Sequence, residues 1–372
     1  MEGKQRVLLF AKGFPPTDGG VESYSWELAR ALKELTIRPI VITQFVGRVG
    51  PQLHRGIPVI NLGPGNQALV FIKMLTWAVR MRRTRQFAWL YATTWRVAIP
   101  GMIAFPRKPI GITAHGREVV VPSGLLKLLM KVVLGRATQV FAVSRYTRDV
   151  MRDRKVISPQ TGVVNWNGLS GDAANWHIRS TSSDDNTQLF TICRLVPRKN
   201  VRGAIEAIAL LRRQNRLGNC RYIIAGRGED ETALRNLVAQ HNLEDVIQLV
   251  GYRTDEEVTA YFQSTDVFVH PQIVLKDGAD FEGFGLVVAE AMSYGIPVIA
   301  GRDGGTADFV QNGQNGILVD GHAIPEIADA IEQLVQSPKR RNQLGSSGRH
   351  WVSENLSWSK HAKKILVGLS SA

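Results

Sequence analysis

The feature that most constrains this chain is an alternation of short β-branched or aromatic runs with longer segments of helical periodicity. The predicted strands are Val7–Ala11, Pro39–Thr43, Trp89–Ala92, Ile110–Ala114 and Gln139–Val143 in the first half, and Leu189–Cys193, Arg221–Ala225, Val246–Val250, Val267–Val269 and Pro297–Ala300 in the second. An order of strand, helix and strand produces a parallel sheet covered by helices. Each half therefore predicts a doubly wound α/β domain.

A polar segment separates the two series of strands. Between positions 170 and 188 small and polar side chains dominate and core residues are scarce, as is typical of a linker. We therefore expect an N-terminal domain over 1–170, a linker over 171–187 and a C-terminal domain over 188–354. Two doubly wound domains in tandem predict a central cleft, with ligands bound at the carboxyl ends of the strands.

Composition narrows the class of protein. The chain has 372 residues, 44% hydrophobic and 21% charged, which is typical of a globular protein with two domains. Its two cysteines, Cys193 and Cys220, cannot form a disulfide framework, and neither a signal peptide nor an apolar run of membrane-spanning length is evident. We expect a cytoplasmic protein.

The charge is unevenly distributed. Residues 1–170 contain 25 Lys and Arg against 8 Asp and Glu, a net charge of +17, and the remaining residues contain 21 against 24, a net charge of −3. A strongly basic half favours an anionic partner, whether nucleic acid, anionic lipid or a phosphorylated substrate. The alternative is that this charge serves only solubility.

Two candidate binding elements follow predicted strands of the first half. Gly19 and Gly20 precede a predicted helix, Val21–Leu35, and paired glycines there let backbone amides approach a phosphate or a sugar. His115 follows the strand Ile110–Ala114, where an imidazole can bind a substrate hydroxyl or move a proton. A simple reversal of the chain and a structural histidine are the alternatives.

Three cations follow the first predicted strand of the second half. Arg194, Arg198 and Lys199 lie in the loop before a predicted helix, Val201–Arg213. Arg194 and Lys199 can converge on a diphosphate, the guanidinium as a fork and the ammonium as a point charge. The alternative is a solvated basic loop that points outward.

Two carboxylates flank a helix that we predict to begin near Phe284. Glu282 precedes this helix, and Glu290 falls in its second turn. Both can border one pocket, into which the amides of Phe284, Gly285 and Leu286 also point. Paired carboxylates accept hydrogen bonds from sugar hydroxyls, although such pairs also cap helices or meet lysines.

Two other kinds of site lack their motifs. No Asp-x-Asp sequence and no His or Cys cluster with metal-ligand spacing is present, so we predict no metal site. Gly226-Arg227-Gly228 is a partial dinucleotide fingerprint, but Glu231 replaces its third glycine, and an acid there repels pyrophosphate. We interpret this segment as a turn and predict no bound cofactor.

In this order, the motifs resemble those of the nucleotide-sugar-dependent glycosyltransferases of the retaining GT-B class, usually called glycosyltransferase family 4. The most specific part is the segment from Glu282 to Glu290 with Gly283-Phe284-Gly285 inside it. Other matches to the family pattern are Arg194 with Lys199, the Gly19-Gly20 turn, Asn167-Gly168, Gly304-Gly305 and the segment after Glu290, Ala291–Val298. The resemblance covers nearly the whole chain.

The resemblance implies roles for the second half. Arg194 and Lys199 would hold the donor diphosphate, Glu290 would take the ribose hydroxyls and Glu282 would bind the donor sugar. The amides of Phe284, Gly285 and Leu286 would touch sugar and phosphate. The segment Gly251-Tyr252-Arg253 would border the base.

The resemblance also implies roles for the first half and for the C-terminus. Gly19 and Gly20 would contact the donor, and Gly20 and His115 would reach the reacting centre. A last helix at about 355–372, matching the segment Trp351–Leu369, would pack back on the N-terminal domain. We expect Glu282, His115, Arg194 and Lys199 to be the catalytic residues.

The implied reaction is hexosyl transfer from a UDP- or GDP-sugar to a lipid-linked or polysaccharide-precursor acceptor, with retention at the anomeric carbon and without a metal. Arg194 and Lys199 would stabilise charge on the departing diphosphate. Three alternative functions are nucleic-acid binding by a basic protein, phosphorolysis by a GT-B sugar phosphorylase, and oxidoreduction with a nicotinamide cofactor. No nucleic-acid-binding motif is evident. The motifs do not distinguish the donor bases.

Two segments predict attachment to a membrane surface. Leu69–Arg85 and Gly124–Arg136 combine apolar and basic residues, and on a helix Leu125 and Leu128 share one face while Lys127 occupies another. In the basic half these segments favour peripheral, salt-sensitive attachment to the inner face of the cell membrane. The alternative is that their apolar faces belong to the domain core.

Overall fold

The computed structural model describes residues 5–17, 19–84, 86–120, 122–158, 160–169, 186–275 and 278–370. The chain divides into two compact units: unit 1 comprises Met1–Ser170 and Leu356–Ala372, and unit 2 comprises Gly171–Asn355. The predicted linker, 171–187, lies outside the described residues except for its last two positions. Thr187 already belongs to a strand, so the predicted end of the linker is wrong.

Unit 1 is built on one sheet, whose described strands have the order β3-β4-β2-β1-β5-β6-β7-β8. The strands are β1 Arg6–Phe10, β2 Arg38–Thr43, β3 Gly50–His54, β4 Ile57–Asn61, β5 Trp89–Ala92, β6 Ile110–Ala114, β7 Gln139–Ala142 and β8 Val163–Val164. Neighbouring strands are parallel except for β3 and β4. The central strands are buried on both faces, which explains their continuous apolar runs.

Helices cover both faces of this sheet. The helices before the linker are α1 Gly20–Glu34, α2 Gln67–Thr84, α3 Trp95–Ala104, α4 Arg117–Val120, α5 Gly124–Gly135 and α6 Arg145–Asp153. α1 shares a core with Val7 and Leu9 of β1, whereas Gly101 of α3 lies against Phe10. Alternate strand residues point to opposite faces, so α1 and α3 lie on opposite faces of the sheet. α2, α3 and α5 are successive neighbours.

Unit 2 is built on a second sheet, parallel throughout in the part of the chain that the structure describes, with the order β11-β10-β9-β12-β13-β14. Its strands are β9 Thr187–Ile192, β10 Cys220–Ala225, β11 Ile247–Gly251, β12 Val267–His270, β13 Val298–Gly301 and β14 Ile317–Val319. Its helices are α7 Val201–Arg213, α8 Glu231–Gln240, α9 Asp255–Ser264, α10 Leu286–Ser293, α11 Ile324–Gln336 and α12 Pro338–Asn355.

The last helix of the chain, α13 (Trp358–Ser370), belongs to unit 1. It packs against α1, β6 and β7 and contributes Trp358, Ile365 and Leu369 to the core. The prediction that Trp351–Leu369 belongs to one helix is therefore wrong, because α12 ends at Asn355 and α13 begins at Trp358. A Cβ atom at Gly168 would lie 2.3 Å from the Trp358 backbone nitrogen, so the glycine of the Asn167-Gly168 motif permits this close approach.

The predicted strands are present with shifts of up to two residues at their ends, but four strands were missed: β3, β4, β8 and β14. The β3–β4 hairpin contradicts a purely parallel first sheet. Its strand β3 lies at the sheet edge, where Pro51 is tolerated, and its turn, Arg55-Gly56, has positive φ at both residues, as two-residue hairpins require. The strands β8 and β14 have two and three residues, too few for a periodic signal.

Candidate functional site

The three cations of the second half follow β9 in a loop that two other loops anchor. Pro197–Lys199 form a single 3-10 turn, and Asn200 at φ 53° caps α7 by accepting a hydrogen bond from the Gly203 amide. The Asn200 amide group donates to the carbonyls of Pro271 (2.9 Å) and Gly321 (2.7 Å). Both acceptors follow strands of the same sheet, β12 and β14, so the cationic loop is held at the carboxyl edge of the sheet.

Two of these cations lie in a charged group of five residues, which we call the Glu282 cluster: Arg198, Lys199, His270, Asp280 and Glu282. The Lys199 ammonium and the Arg198 guanidinium both donate to Glu282 Oε2, the latter at 2.9 Å. Arg198 Nε lies 3.4 Å from Asp280 Oδ1, and His270 Nε2 lies 3.7 Å from Glu282 Oε2. The side chains of the four charged members are 10–15% exposed.

Burial and charge set the protonation of this cluster. Burial acts to raise the pKa of Glu282, but attraction to Lys199 and Arg198 outweighs it and holds the pKa well below its ordinary value. Burial, together with repulsion from Lys199, lowers the pKa of His270 to about 4. At neutral pH Glu282 is therefore ionised and the His270 imidazole is neutral.

The loop from Glu282 to Gly285 positions the start of α10. The helix begins at Leu286 with Gly285 as its N-cap at φ 89°, so our prediction of a start near Phe284 is wrong by two residues, because the left-handed Gly285 cannot continue a helix. The Gly305 amide donates to the Glu282 carbonyl (2.8 Å), and a Cβ atom at Gly305 would lie 2.1 Å from the Gly283 carbonyl oxygen. The Gly304-Gly305 turn therefore packs directly against the backbone of the Glu282 loop and holds it in place.

Glu290 lies in the second turn of α10, as predicted, but it is not part of the Glu282 cluster. Its side chain is exposed and forms no ion pair with any residue that the structure describes. Desolvation and repulsion from Asp255 raise its pKa to about 7, so the carboxyl group is partly ionised at neutral pH. In its ionised form it can accept hydrogen bonds from a ligand.

Arg194 and Arg253 occupy exposed or half-buried positions outside the cluster. The Arg194 guanidinium is exposed and has no partner among the described residues. Arg253 donates to Glu257 Oε1 (3.2 Å). Cβ atoms at Gly226 and Gly228 would lie 1.9 and 2.0 Å from backbone carbonyls in the Arg194 loop. The glycines of the partial fingerprint thus allow two loops to meet, as a structural turn would.

The candidates of the first half lie in unit 1. His115 follows β6, and its Nε2 lies 2.9 Å from the Thr93 carbonyl oxygen. A carbonyl only accepts hydrogen bonds, so Nε2 carries the proton and Nδ1 remains an acceptor. Burial lowers the pKa of His115, which keeps the ring neutral at pH 7. His115 can therefore accept a hydrogen bond from a hydroxyl.

The Gly19-Gly20 turn begins α1, with Gly20 as its first residue. A Cβ atom at Gly19 would lie 2.2 Å from the Glu22 carboxylate, whereas a Cβ atom at Gly20 would meet nothing within 4 Å. Glu22 thus packs against the turn on the Gly19 side. The space above Gly20 is the part of the turn that a ligand can approach.

A buried hydrogen-bonded network lies beside His115. Tyr24 Oη contacts Thr113 Oγ1 (2.7 Å), Tyr91 Oη (3.2 Å) and His361 Nε2 (2.9 Å). His361 Nδ1 lies 2.8 Å from the Trp166 carbonyl, so it donates and Nε2 accepts from Tyr24. The Tyr24 ring meets the His115 ring edge-on, with centroids 4.8 Å apart. The sequence did not reveal this network.

Three members of the Glu282 cluster were not proposed as site residues: Arg198, His270 and Asp280. His270 carries the same signal that singled out His115, a histidine at the carboxyl end of a strand. Arg198 was noted only as part of the basic loop.

Among the residues that the structure describes, no His, Cys, Asp and Glu group is arranged to hold a metal ion. None of the described helices is long and apolar enough to cross a bilayer.

Comparison with known proteins covers both units. Residues 172–351 match the family model described as Glycosyl transferases group 1, and residues 18–170 match the model described as Glycosyltransferase Family 4. The chain belongs to glycosyltransferase family 4. Membership confirms the resemblance seen in the motifs and favours an enzyme over the nucleic-acid-binding and oxidoreductase alternatives.

Curated relatives of this glycosyltransferase include full-length matches. It is 28% identical to the GDP-mannose-dependent alpha-(1-6)-phosphatidylinositol monomannoside mannosyltransferase of Mycobacterium tuberculosis, with 97% of each chain covered. It is 35% identical to the D-inositol 3-phosphate glycosyltransferase of Pseudarthrobacter chlorophenolicus, over 45% of this chain and 39% of the relative.

Solved structures share the fold of this glycosyltransferase. A glycosyltransferase from Rickettsia africae superposes with a TM-score of 0.80 at 18% identity, covering 99% of this chain and 98% of the other. Anabaena Alr3699/HepE in complex with UDP and glucose superposes with a TM-score of 0.75 at 20% identity over 100% of both chains. The α/β GT-B fold of glycosyltransferases is thus confirmed.

Proposed function

We propose that this glycosyltransferase transfers a hexose from a nucleoside diphosphate sugar, with retention at the anomeric carbon and without a metal ion, to a lipid-linked acceptor. The observation that carries the proposal is the cationic loop after β9. It presents an exposed Arg194 without a described partner and holds Lys199 against Glu282 at the carboxyl edge of the sheet. The full-length relative makes GDP-mannose the first donor to test, with UDP-sugars beside it.

The donor groups are assigned as follows. Arg194 and Lys199 bind the diphosphate, and Lys199 can do so without leaving Glu282 because an ammonium has three donors. Glu290 accepts hydrogen bonds from the ribose hydroxyls. The amides at the start of α10 face the donor sugar and phosphate, and Tyr252, which is exposed beside Arg253, borders the base.

Departure of the nucleoside diphosphate is the step that the cations accelerate. The bond between the anomeric carbon and the phosphate oxygen breaks, and negative charge develops on the diphosphate beside Arg194 and Lys199. The acceptor hydroxyl attacks from the same face and passes its proton to the leaving phosphate. Preorganised charge of this kind lowers a barrier by about 3–4 kcal/mol per donor. His115 Nδ1 orients a substrate hydroxyl.

Donor binding tests this assignment. Titration calorimetry with GDP-mannose and with UDP-glucose identifies the base that binds, and Arg194→Ala and Glu290→Gln are then compared with the wild type. We expect each variant to weaken binding by about tenfold or more. Arg213→Ala, which removes an exposed arginine of α7 outside the site, is the matched control. Wild-type affinity in Arg194→Ala would show that the diphosphate binds elsewhere.

Metal independence needs its own experiment. We expect donor turnover to be unchanged after the protein and buffers are treated with EDTA, because two cationic side chains supply the charge that a divalent ion would supply. A strict requirement for Mg²⁺ or Mn²⁺ would contradict this part of the proposal and leave the donor assignment intact.

The acceptor side is proposed to lie on the inner face of the cell membrane. α5 packs into unit 1 through Met130, Val133 and Leu134, so the predicted apolar face is not core: Leu125 is 82% exposed and Leu128 58% exposed. α2 likewise exposes Leu69, Ile72 and Val79 beside Arg80, Arg82 and Arg83. Exposed apolar residues among cations are typical of helices that bind anionic lipid.

Vesicle sedimentation tests the membrane part. We expect binding to phosphatidylglycerol-containing vesicles at low salt, release at high salt, and loss of binding in Leu125→Gln/Leu128→Gln. Val367→Gln, which replaces an apolar residue of α13 that is 69% exposed, is the control. A protein that stays in the supernatant in both salts would refute membrane attachment but not glycosyl transfer.

A further inference from the structure

Unit 1 has a cavity of about 810 Å³ at the amino-terminal edge of its sheet. The residues that line it include Arg6, the first residue of β1, Phe87, which precedes β5, and Lys108, which precedes β6. In a parallel sheet the amino ends of the strands meet at one edge. His115 and the Gly19-Gly20 turn lie at the opposite edge, about 16 Å away along a strand of five residues. The cavity is therefore separate from the candidate catalytic groups of unit 1.

Four cations line the cavity, and none of its described lining residues is acidic. They are Arg6, Arg82, Arg107 and Lys108. The Arg82 guanidinium donates to the Ala104 carbonyl at 3.0 Å, and none of the four forms an ion pair with another residue in the described ranges. Four like charges around one cavity repel one another, and an anion bound among them relieves that repulsion.

The floor of the cavity is apolar and well packed. Phe87 and Phe105 line it with rings that are 2% and 6% exposed and meet edge-on, 5.9 Å between centroids. The segment that carries Arg107 and Lys108 is closed by a hydrogen bond from the Lys108 amide to the Phe105 carbonyl (3.1 Å). Arg107 and Lys108 are thus attached to a hydrogen-bonded turn over a packed base, which limits the entropy lost when a ligand binds.

We propose that this cavity is a second anion site, which binds a phosphate group away from the donor site. The ligand is a phosphate mono- or diester. The four cations bind its phosphate group, and the rings of Phe87 and Phe105 lie on one side of it. Two sources carry this group: the headgroup of an anionic lipid and a free phosphorylated compound. The site does not depend on the identity of the sugar donor.

A double variant, Arg107→Gln/Lys108→Gln, tests the site, since both side chains are exposed and their turn is held by the backbone. Arg213→Gln/Lys339→Gln removes the same charge from exposed positions of unit 2 and is the matched control. Arg194→Ala reports on the donor site. The probes are inorganic pyrophosphate, followed by calorimetry, and vesicles of phosphatidylcholine with or without phosphatidylglycerol.

We expect Arg107→Gln/Lys108→Gln to weaken the binding of one probe by about tenfold, with the control double variant unchanged. Loss of pyrophosphate affinity indicates a free phosphate compound. Loss of vesicle binding that pyrophosphate does not compete with indicates a lipid headgroup. Equal losses in the two double variants, or a loss confined to Arg194→Ala, would overturn the proposal, because the anion would then bind through general charge or at the donor site.

Discussion

Two buried histidines, one in each unit, show two ways of placing a polar group in a protein interior. His361 of unit 1 has both ring nitrogens hydrogen-bonded, to Tyr24 and to the Trp166 carbonyl. Neither ring nitrogen of His270 in unit 2 is hydrogen-bonded to a residue that the structure describes, and the Glu282 carboxylate lies 3.7 Å from Nε2. Burial lowers the pKa of both to about 4, so both are neutral at pH 7.

The difference separates a neutral, hydrogen-bonded network from a cluster of charged groups. The network around His361 is neutral and satisfied, and such networks rigidify a core. It attaches α13 to α1 and β6 beside His115. The Glu282 cluster contains two cations and two carboxylates close together, which costs desolvation free energy. Because such groups of charges are frequent at functional sites, we expect the Glu282 cluster to exchange partners when a ligand binds.

The largest effect is expected from breaking the Glu282 cluster. Lys199→Met removes the ammonium that contacts Glu282, and we expect donor turnover to fall by about 10²–10³-fold, as for loss of a preorganised charge at a departing group. Arg212→Met breaks the exposed Arg212–Asp245 ion pair and is the control, with less than about a twofold effect. Steady-state kinetics measure both. Equal activity in the two variants would show that Lys199 does not contribute to donor turnover.

A smaller effect, on stability, is expected from the His361 network. Tyr24→Phe removes the hydroxyl that contacts Thr113, Tyr91 and His361 and leaves the buried His361 Nε2 unpaired. We therefore expect a loss of about 1–3 kcal/mol in the free energy of unfolding. Tyr261→Phe, with less than about 0.5 kcal/mol expected, is the control. Urea unfolding followed by circular dichroism measures both. A neutral Tyr24→Phe would mean that the network does not stabilise unit 1.

A further effect on stability, seen only at acidic pH, follows from the low pKa that the two histidines have in common. Such a histidine has a pKa of about 4 in the folded protein and an ordinary pKa of 6.5 in the unfolded chain. As the pH falls below 6.5, the unfolded chain therefore binds a proton before the folded protein does. The free energy of unfolding is highest above pH 6.5 and decreases as the pH drops towards 4. At pH 5 each such group costs about 2 kcal/mol. Glu282 stays charged at this pH because its pKa is depressed.

His270→Phe tests this pH dependence. The ring stacks on Phe268, and phenylalanine keeps that packing without a titratable group. We expect the difference in unfolding free energy between pH 7.5 and pH 5 to shrink by about 2 kcal/mol, and His350→Gln, at an exposed position, to leave it unchanged. An identical pH dependence in wild type and His270→Phe would show that His270 is not held neutral by the fold.

Much of the fold could be predicted because strand and helix periodicity is local. The strands β5 and β6 were predicted at both ends, and α7 was predicted as Val201–Arg213. The hairpin β3–β4 was missed because β3 is an edge strand that contains Gly50 and Pro51 and has no buried residue, so it lacks an apolar pattern. The start of α10 was misplaced because the left-handed Gly285 is visible only in the backbone.

The sequence alone was enough to predict the fold class, the division near residue 170, the places of Arg194, Lys199 and Glu282 in loops and that of Glu290 inside a helix. Which of these groups meet depends on the tertiary structure. Lys199 and Glu282 are 83 positions apart, and they meet because β12 lies beside β9 in the sheet. The order of strands in a sheet depends on packing between distant segments, which local periodicity does not encode.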